Sequence, residues 1–372
     1  MTPIIPFQAA WAAACNEEGS NVLVPSGNEF LVGPIIFSGS HCQPNIVFQP
    51  PSPAVDGTIV APIAATAWEP GLLQWLKFTK LKRITVRGGG VINRRGASWW
   101  GEPPHGNELV SSSRVKPTAL RLYGSDGITV AGITIRNSAQ CHLKFDSCTA
   151  VEVFNLTVSS PGFSVHTDGI HLQNSKNVSI HHVVLGCGDD CVSIQTGCSD
   201  VEIRSMACGP GHGISIGGLG GGNSMACVSN ITVQDVTLRG TTTGVRIKTW
   251  QNIRFSNIWV TEVKIPVVIQ YYCDKGCAAC RNQSSAVALA GISYEGVRGT
   301  YTASPLHLAC SDSAPCAGIR LSNEHLDPAP GRGGGTGGPF CWQAHGQLTS
   351  PVVPLVGCLQ SGERKAATSP TA

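Results

Sequence analysis

Four short segments hold the residues whose types and spacing could do chemistry. They are His166-Thr167-Asp168-Gly169, Gly188-Asp189-Asp190-Cys191, Gly211-His212-Gly213 and Arg246-Ile247-Lys248. Carboxylates crowded into one place cannot all ionise freely, so one pKa rises. A protonated acid beside an ionised base is what cleavage of a glycosidic bond needs. Arg246 and Lys248 alternate with Val245 and Ile247, so both cations face one way on a strand. Two such cations can hold an anionic sugar by its carboxylate. Tyr271 and Tyr272 follow about one repeat later and could stack on a sugar. The same Asp/His set could hold a divalent metal, but the nearby Arg and Lys oppose one. No metal and no cofactor are expected.

These groups converge only if something stacks them. Asp168 lies two residues before Ile170, which alternates with Leu172. Asp190 lies two before Val192, which alternates with Ile194, and His212 lies two before Ile214, which alternates with Ile216. The register is the same three times. If these strands stack in parallel, the two carboxylate sites and the imidazole occupy equivalent points on successive layers. Taken singly, Asp-Gly and Asp-Asp are ordinary turn residues, and a His between glycines merely tolerates a bend. Their shared register favours the chemical reading. His171, His181 and His182 carry no spacing argument and read as surface or supporting residues.

A repeat supplies the layers. Ile128-Thr-Val130, Val151-Glu-Val153, Val178-Ser-Ile180, Val201-Glu-Ile203, Ile231-Thr-Val233 and Ile253-Arg-Phe255 are apolar-polar-apolar triplets at intervals of about 22 to 30 residues. Several turn-separated strands per repeat predict an all-β right-handed parallel β-helix, a solenoid. Asn137, Asn155, Asn174, Asn177, Asn230 and Asn257 are expected at turns, where Asn tolerates left-handed backbone. A short amphipathic helix over Phe7 to Cys15 is expected to cap the open end of the coil. Trp99 and Trp100 are read as core rather than as an aromatic wall. The segment from Pro50 to Pro62 is read as a loop, and the C-terminal part as less regular. One domain is expected over residues 1–361, with a disordered tail over 362–372.

Composition bounds the function. Of 372 residues, 42% are hydrophobic and only 13% charged, against an average of about a quarter. The net charge of +3 is too weak to argue for nucleic acid or membrane as partner. Sixteen Cys without a clean metal-ligand quartet favour disulfides in an oxidising compartment. No signal peptide is visible at the start, although an extracellular, cell-wall location is expected.

The motif set resembles the plant polygalacturonases, pectin-degrading glycoside hydrolases. Thr167-Asp168-Gly169, Gly188-Asp189-Asp190-Cys191, Cys208-Gly209-Pro210-Gly211-His212-Gly213-Ile214-Ser215-Ile216-Gly217 and Gly244-Val245-Arg246-Ile247-Lys248-Thr249-Trp250 carry the resemblance. It implies inverting hydrolysis of α-1,4 bonds in homogalacturonan by a monomer acting on an acidic polysaccharide. It implies Asp189 as general acid, Asp168 and Asp190 as activators of water, and His212 as support for the acid. It implies Arg246, Lys248 and Tyr272 as substrate binders, with His166 where the family has a substrate-binding Asn. The disulfides implied are Cys191–Cys208, Cys273–Cys280, Cys310–Cys316 and Cys341–Cys358, with Cys141, Cys187 and Cys277 extra. Against the family pattern, the chain starts at the helix, without the family's first β element. It also lacks the Gly-rich loop after Gln251 and one residue between Ile269 and Tyr271. A weak or inactive pectin-binding paralogue and a hydrolase of rhamnogalacturonan or substituted galacturonan are the alternatives kept. A calcium-dependent pectate lyase is disfavoured by the lack of further ligand carboxylates.

Overall fold

The computed structural model describes residues 4–49, 57–64, 67–69, 71–101, 116–217, 228–248, 251–270, 290–312, 315–331 and 337–361. Contacts divide the chain into two compact units, Met1–Ser193 and Ile194–Ala372. Both are built from coils of parallel strands, as the triplet repeat predicts.

In the first unit, Ile35–Ser38, Gln74–Thr79, Thr118–Tyr123, Leu143–Asp146 and Ile170–Gln173 pair in parallel, each with the next. Strict alternation decides what each strand buries. Phe37, Phe78, Leu122, Phe145 and Leu172 stack in register as one inward ladder, all at most 1% exposed. A second sheet pairs Lys82–Arg87, Asp126–Ala131, Thr149–Phe154 and Lys176–Gly186. Its inward rows include Ile84, Ile128, Val151 and Val178. Because each row is apolar from coil to coil, a one-residue slip would turn it outward, and the register is therefore fixed.

The second unit repeats the plan. Ile214–Ile216, Thr243–Ile247, Ile265–Gln270, Leu306–Ala309 and Phe340–Trp342 pair in parallel in order. Ser199–Cys208, Ser229–Arg239, Gln251–Val263, Ala290–Tyr301, Cys316–Pro328 and Ala344–Val353 form its long sheet. The coils continue through the C-terminal part, but less regularly, as expected: register shifts interrupt the pairing of Gln251–Val263 with Ala290–Tyr301 and of Cys316–Pro328 with Ala344–Val353. Against expectation, the strand Thr58–Val60 lies inside the segment read as a loop and pairs with Val91–Asn93. Proline marks the flanks there, not the strand itself.

The six Asn positions all carry positive φ, from 48° to 56°. Asn177, Asn230 and Asn257 lie within long strands, where they make bends rather than separate elements. The helix runs over Ile4–Ala14. It sets Trp11 against Phe37 and Phe78, at ring separations of 5.1 and 5.6 Å, and Cys15 is bonded to Cys42. That pair went unrecognised in the sequence. Cys310–Cys316 and Cys341–Cys358 form as implied, and Cys191 and Cys208 are both disulfide-bonded. The tail over 362–372 and Cys273, Cys277 and Cys280 lie outside the described residues.

Trp99 and Trp100 are half-buried and are not core. Trp99 stands beside Arg94, whose guanidinium is fully buried 3.6 Å from the Trp68 ring centroid and 5.4 Å from that of Trp99, while Trp100 Nε1 donates to the Ser138 carbonyl at 2.8 Å. Among the described residues the Arg94 side-chain nitrogens have no hydrogen-bond partner, and burial lowers its pKa to about 9. The ring faces compensate part of the lost hydration.

Candidate active site

In the first unit, Cys141, Asp168 and Asp190 hold equivalent positions on three successive coils. The backbone N–H groups of Leu143 and Ile170 donate to the carbonyls of Gly169 and Cys191, at 3.1 and 2.9 Å. The register deduced from the sequence places Asp168 and Asp190 two residues before their strands, and the hydrogen bonds put them there. The charges of Asp168, Asp189 and Asp190 all act on the buried Cys187 thiol. Burial, and then those charges, push that thiol up to about 12. The three carboxylates therefore lie around one buried thiol.

Their surroundings differ. Asp190 is the most buried, at 5% exposure, while the Asp168 and Asp189 side chains are 13% and 23% exposed. Asp189 Oδ1 accepts from the Asp190 N–H at 2.9 Å, and its Oδ2 lies 3.6 Å from His166 Nδ1. His166 has φ 63°, a left-handed geometry that Asn adopts readily and His less so. From that backbone position His166 offers an imidazole to Asp189.

Asp168 Oδ2 takes two side-chain contacts. His171 Nδ1 lies 2.7 Å away, and the Cys141 thiol donates at 3.7 Å. Burial, and then the Asp168 charge, hold that thiol well above its usual pKa, so it is a neutral donor. Beneath, the Asp168 carbonyl accepts from His142 Nδ1 at 2.9 Å, and His142 Nε2 meets Ser160 Oγ at 2.7 Å. Burial lowers the His142 pKa to about 4, so the ring is neutral where the carboxylates work. The loop leading to Asp168 is clamped as well. Buried Thr167 Oγ1 donates to the Ser164 carbonyl at 2.6 Å and accepts from the Gly188 N–H at 2.9 Å.

His171, His142 and Cys141 were missed as site residues. Cys141 had a usable signal, since it precedes Leu143 by two residues and Leu143 alternates with Phe145. His171 stands one residue after Ile170 on the outward face, where a side chain can reach Asp168.

Gly188 shows how little room there is. A Cβ added there would lie 2.1 Å from the Ser164 carbonyl oxygen. Gly188→Ala is expected to cost roughly 2–4 kcal/mol, in the range of strong backbone clashes. A thermal melt checks this, and an unchanged Tm would refute it.

In the second unit, His212 is half-buried, and its carbonyl accepts from Thr243 Oγ1. Arg246 is paired with Ser215 in the strand register and its Nε donates to Ser215 Oγ at 2.9 Å. Val245 and Ile247 are fully buried while Arg246 and Lys248 reach solvent, so both cations do face outward. Residues 249–250 lie outside the described residues, and the strand Gln251–Val263 begins at the next position. Tyr271 and Tyr272 lie outside the described residues.

Stacked parallel coils and a carboxylate set supported by buried donors define a parallel β-helix protein with a candidate site in its first unit. The chain belongs to the glycosyl hydrolases family 28, whose model matches residues 15–333. A polygalacturonase of Chamaecyparis obtusa is 40% identical over 337 residues, 88% of this chain and 64% of that protein. A probable polygalacturonase of Arabidopsis thaliana is 38% identical over 360 residues, covering 94% and 79%. The chain thus spans a little under two thirds of the length of the Chamaecyparis relative. Among solved structures, the endo-xylogalacturonan hydrolase of Aspergillus tubingensis superposes with a TM-score of 0.80 at 21% identity, covering 95% and 96%. The polygalacturonase of Erwinia carotovora gives 0.73, also at 21%, covering 92% and 93%. At that identity these two matches establish the fold.

Proposed function

We propose that the protein is a polygalacturonase that hydrolyses α-1,4-galacturonosyl bonds of homogalacturonan with inversion, outside the cell. Asp189 is the general acid, and Asp168 and Asp190 activate the attacking water. In an inverting enzyme the acid and base stand about 6.5–9.5 Å apart to admit that water. His212 supports the acid's proton, and Arg246, Lys248 and Tyr272 bind substrate, in the roles the family resemblance gives them. The observation that carries the reading is the set of three carboxylates on successive coils, one of them held by His171 and Cys141. The relatives named as polygalacturonases agree with it, and the disulfides suit an extracellular protein.

Inversion leaves a definite trace. Proton NMR of early product from polygalacturonic acid is expected to show the β-anomer first, with reducing ends released at about pH 5 whether or not a chelator is present. First appearance of the α-anomer would end the inverting mechanism. A second reading is a pectin-binding chain without turnover. His166, 3.6 Å from the acid, is the observation that favours it. Folded protein that binds polygalacturonate and releases no reducing ends would select it.

A further inference from the structure

One outward row of the first unit is cationic. On the sheet that carries Ile170–Gln173, residues facing away from the core alternate with the buried ladder. Ile36, Lys77, Arg121, Lys144 and His171 fall in a single register row, each beside the next. The row ends on the imidazole that contacts Asp168.

The charges along it are unequally matched. Arg121 is paired with Asp146 at 2.5 Å and donates to Gln74 Oε1 at 3.2 Å. Lys77 lies 5.1 Å from the Tyr123 ring centroid and Arg121 lies 5.3 Å from it. Burial, and then the Arg121 charge, lower the Lys77 pKa, while Asp146 offsets part of this. Lys144 has no carboxylate partner among the described residues and is half-buried. One acid therefore serves three cations. Lys77 and Lys144 are two strands apart, so their Cα atoms are separated by about 10 Å across the strands. A row at right angles to the strands suits a polymer that runs from coil to coil.

We propose that Lys77 and Lys144, with Arg121 between them, bind carboxylates of an extended anionic polysaccharide whose chain continues from the Asp168 end of the row. This rests on the proposed polygalacturonase reading, and it adds contacts remote from the bond being cut. Arg121, already held by Asp146, is the rigid member. Tyr123 offers a ring face beside it for a sugar. Methyl-esterified units, being neutral, gain nothing from the row.

The test uses the Asp189→Asn variant, so that ligand survives the measurement. Its affinity for decagalacturonate is measured by calorimetry with and without Lys77→Gln/Lys144→Gln. Loss of two partly exposed ion pairs is expected to weaken binding about tenfold and to flatten its salt dependence. The fully methyl-esterified decamer is expected to show no change. Lys77→Arg/Lys144→Arg, which keeps both charges, is expected to retain affinity and shows whether a weak double variant has merely lost its fold. Unchanged decagalacturonate affinity, or equal loss with the methyl ester, overturns the proposal. A parent protein that binds through the row yet releases no reducing ends leaves the row standing and removes the hydrolase reading.

Discussion

Asp189→Asn is expected to lower kcat on polygalacturonic acid by about 10³-fold, within the range that a positioned general acid contributes. Asparagine has the same shape, and its side-chain oxygen can still accept from the Asp190 N–H that Asp189 Oδ1 now holds at 2.9 Å. It cannot deliver a proton to a leaving oxygen. KM should therefore stay within a few-fold of the parent, a split between kcat and KM that marks loss of a transition-state interaction. Steady-state kinetics on the folded variant measure both. A variant that keeps its kcat would move the acid to another carboxylate of the set. The half-exposed position of Asp189, against the burial of Asp190, argues that it is the one a substrate oxygen can reach.

The second large effect is on stability. Glu324 is 4% exposed in the second unit, and its Oε2 accepts the Val297 N–H at 3.1 Å. Among the described residues its Oε1 has no hydrogen-bond partner, nor has the hydroxyl of buried Tyr294. Burial pushes the Glu324 pKa up to about 8. The neutral form is thus the one the fold favours. Its contribution is fully present below the unfolded value of 4.5 and is lost as the pH rises through about 8. Glu324→Gln is neutral throughout, so at pH 8 it is expected to exceed the parent by roughly 3–5 kcal/mol. At pH 4 the two should be nearly equal. Chemical denaturation at both values checks this, and a gap independent of pH would show that the effect is packing and not charge. His142 sets the opposite limit. Its pKa is depressed to about 4, so the stability it confers is present above the unfolded value of 6.5 and is lost as the pH falls through about 4.

Much of the candidate site could be read from spacing because a period of two is unambiguous once a strand buries one face. Asp168 and Asp190 occupy the register inferred from Ile170 and Val192, and six asparagines took the left-handed backbone expected of them. The contacts between coils were harder. Cys141 and Asp168 are 27 residues apart, whereas Arg121 and Asp146 are 25 apart. Coil lengths vary, so a residue's neighbour one layer away has no constant offset in sequence. Trp99 misled for a different reason. Large aromatics are mostly buried, but this one stands beside a buried cation, and that arrangement leaves no periodic trace. The strand Thr58–Val60 was hidden by prolines on both sides, and its pairing with Val91–Asn93 is long-range.

The helix Ile4–Ala14 bears on how copies of this protein meet one another. Parallel strands add to one another indefinitely, and nothing in the backbone distinguishes a coil of the same molecule from a coil of the next. Trp11 lies against Phe37 and Phe78 and donates to the Ser38 carbonyl at 2.9 Å, while Cys15–Cys42 anchors the helix end. A helix offers no strand edge for another chain to extend. Head-to-tail joining of such ends would be a heterologous contact that never closes, and its product is a filament. One helix and one disulfide therefore do more than finish the core. They cover a strand edge, and in a reducing environment that cover would still rest on buried Phe7, Trp11 and Ala14.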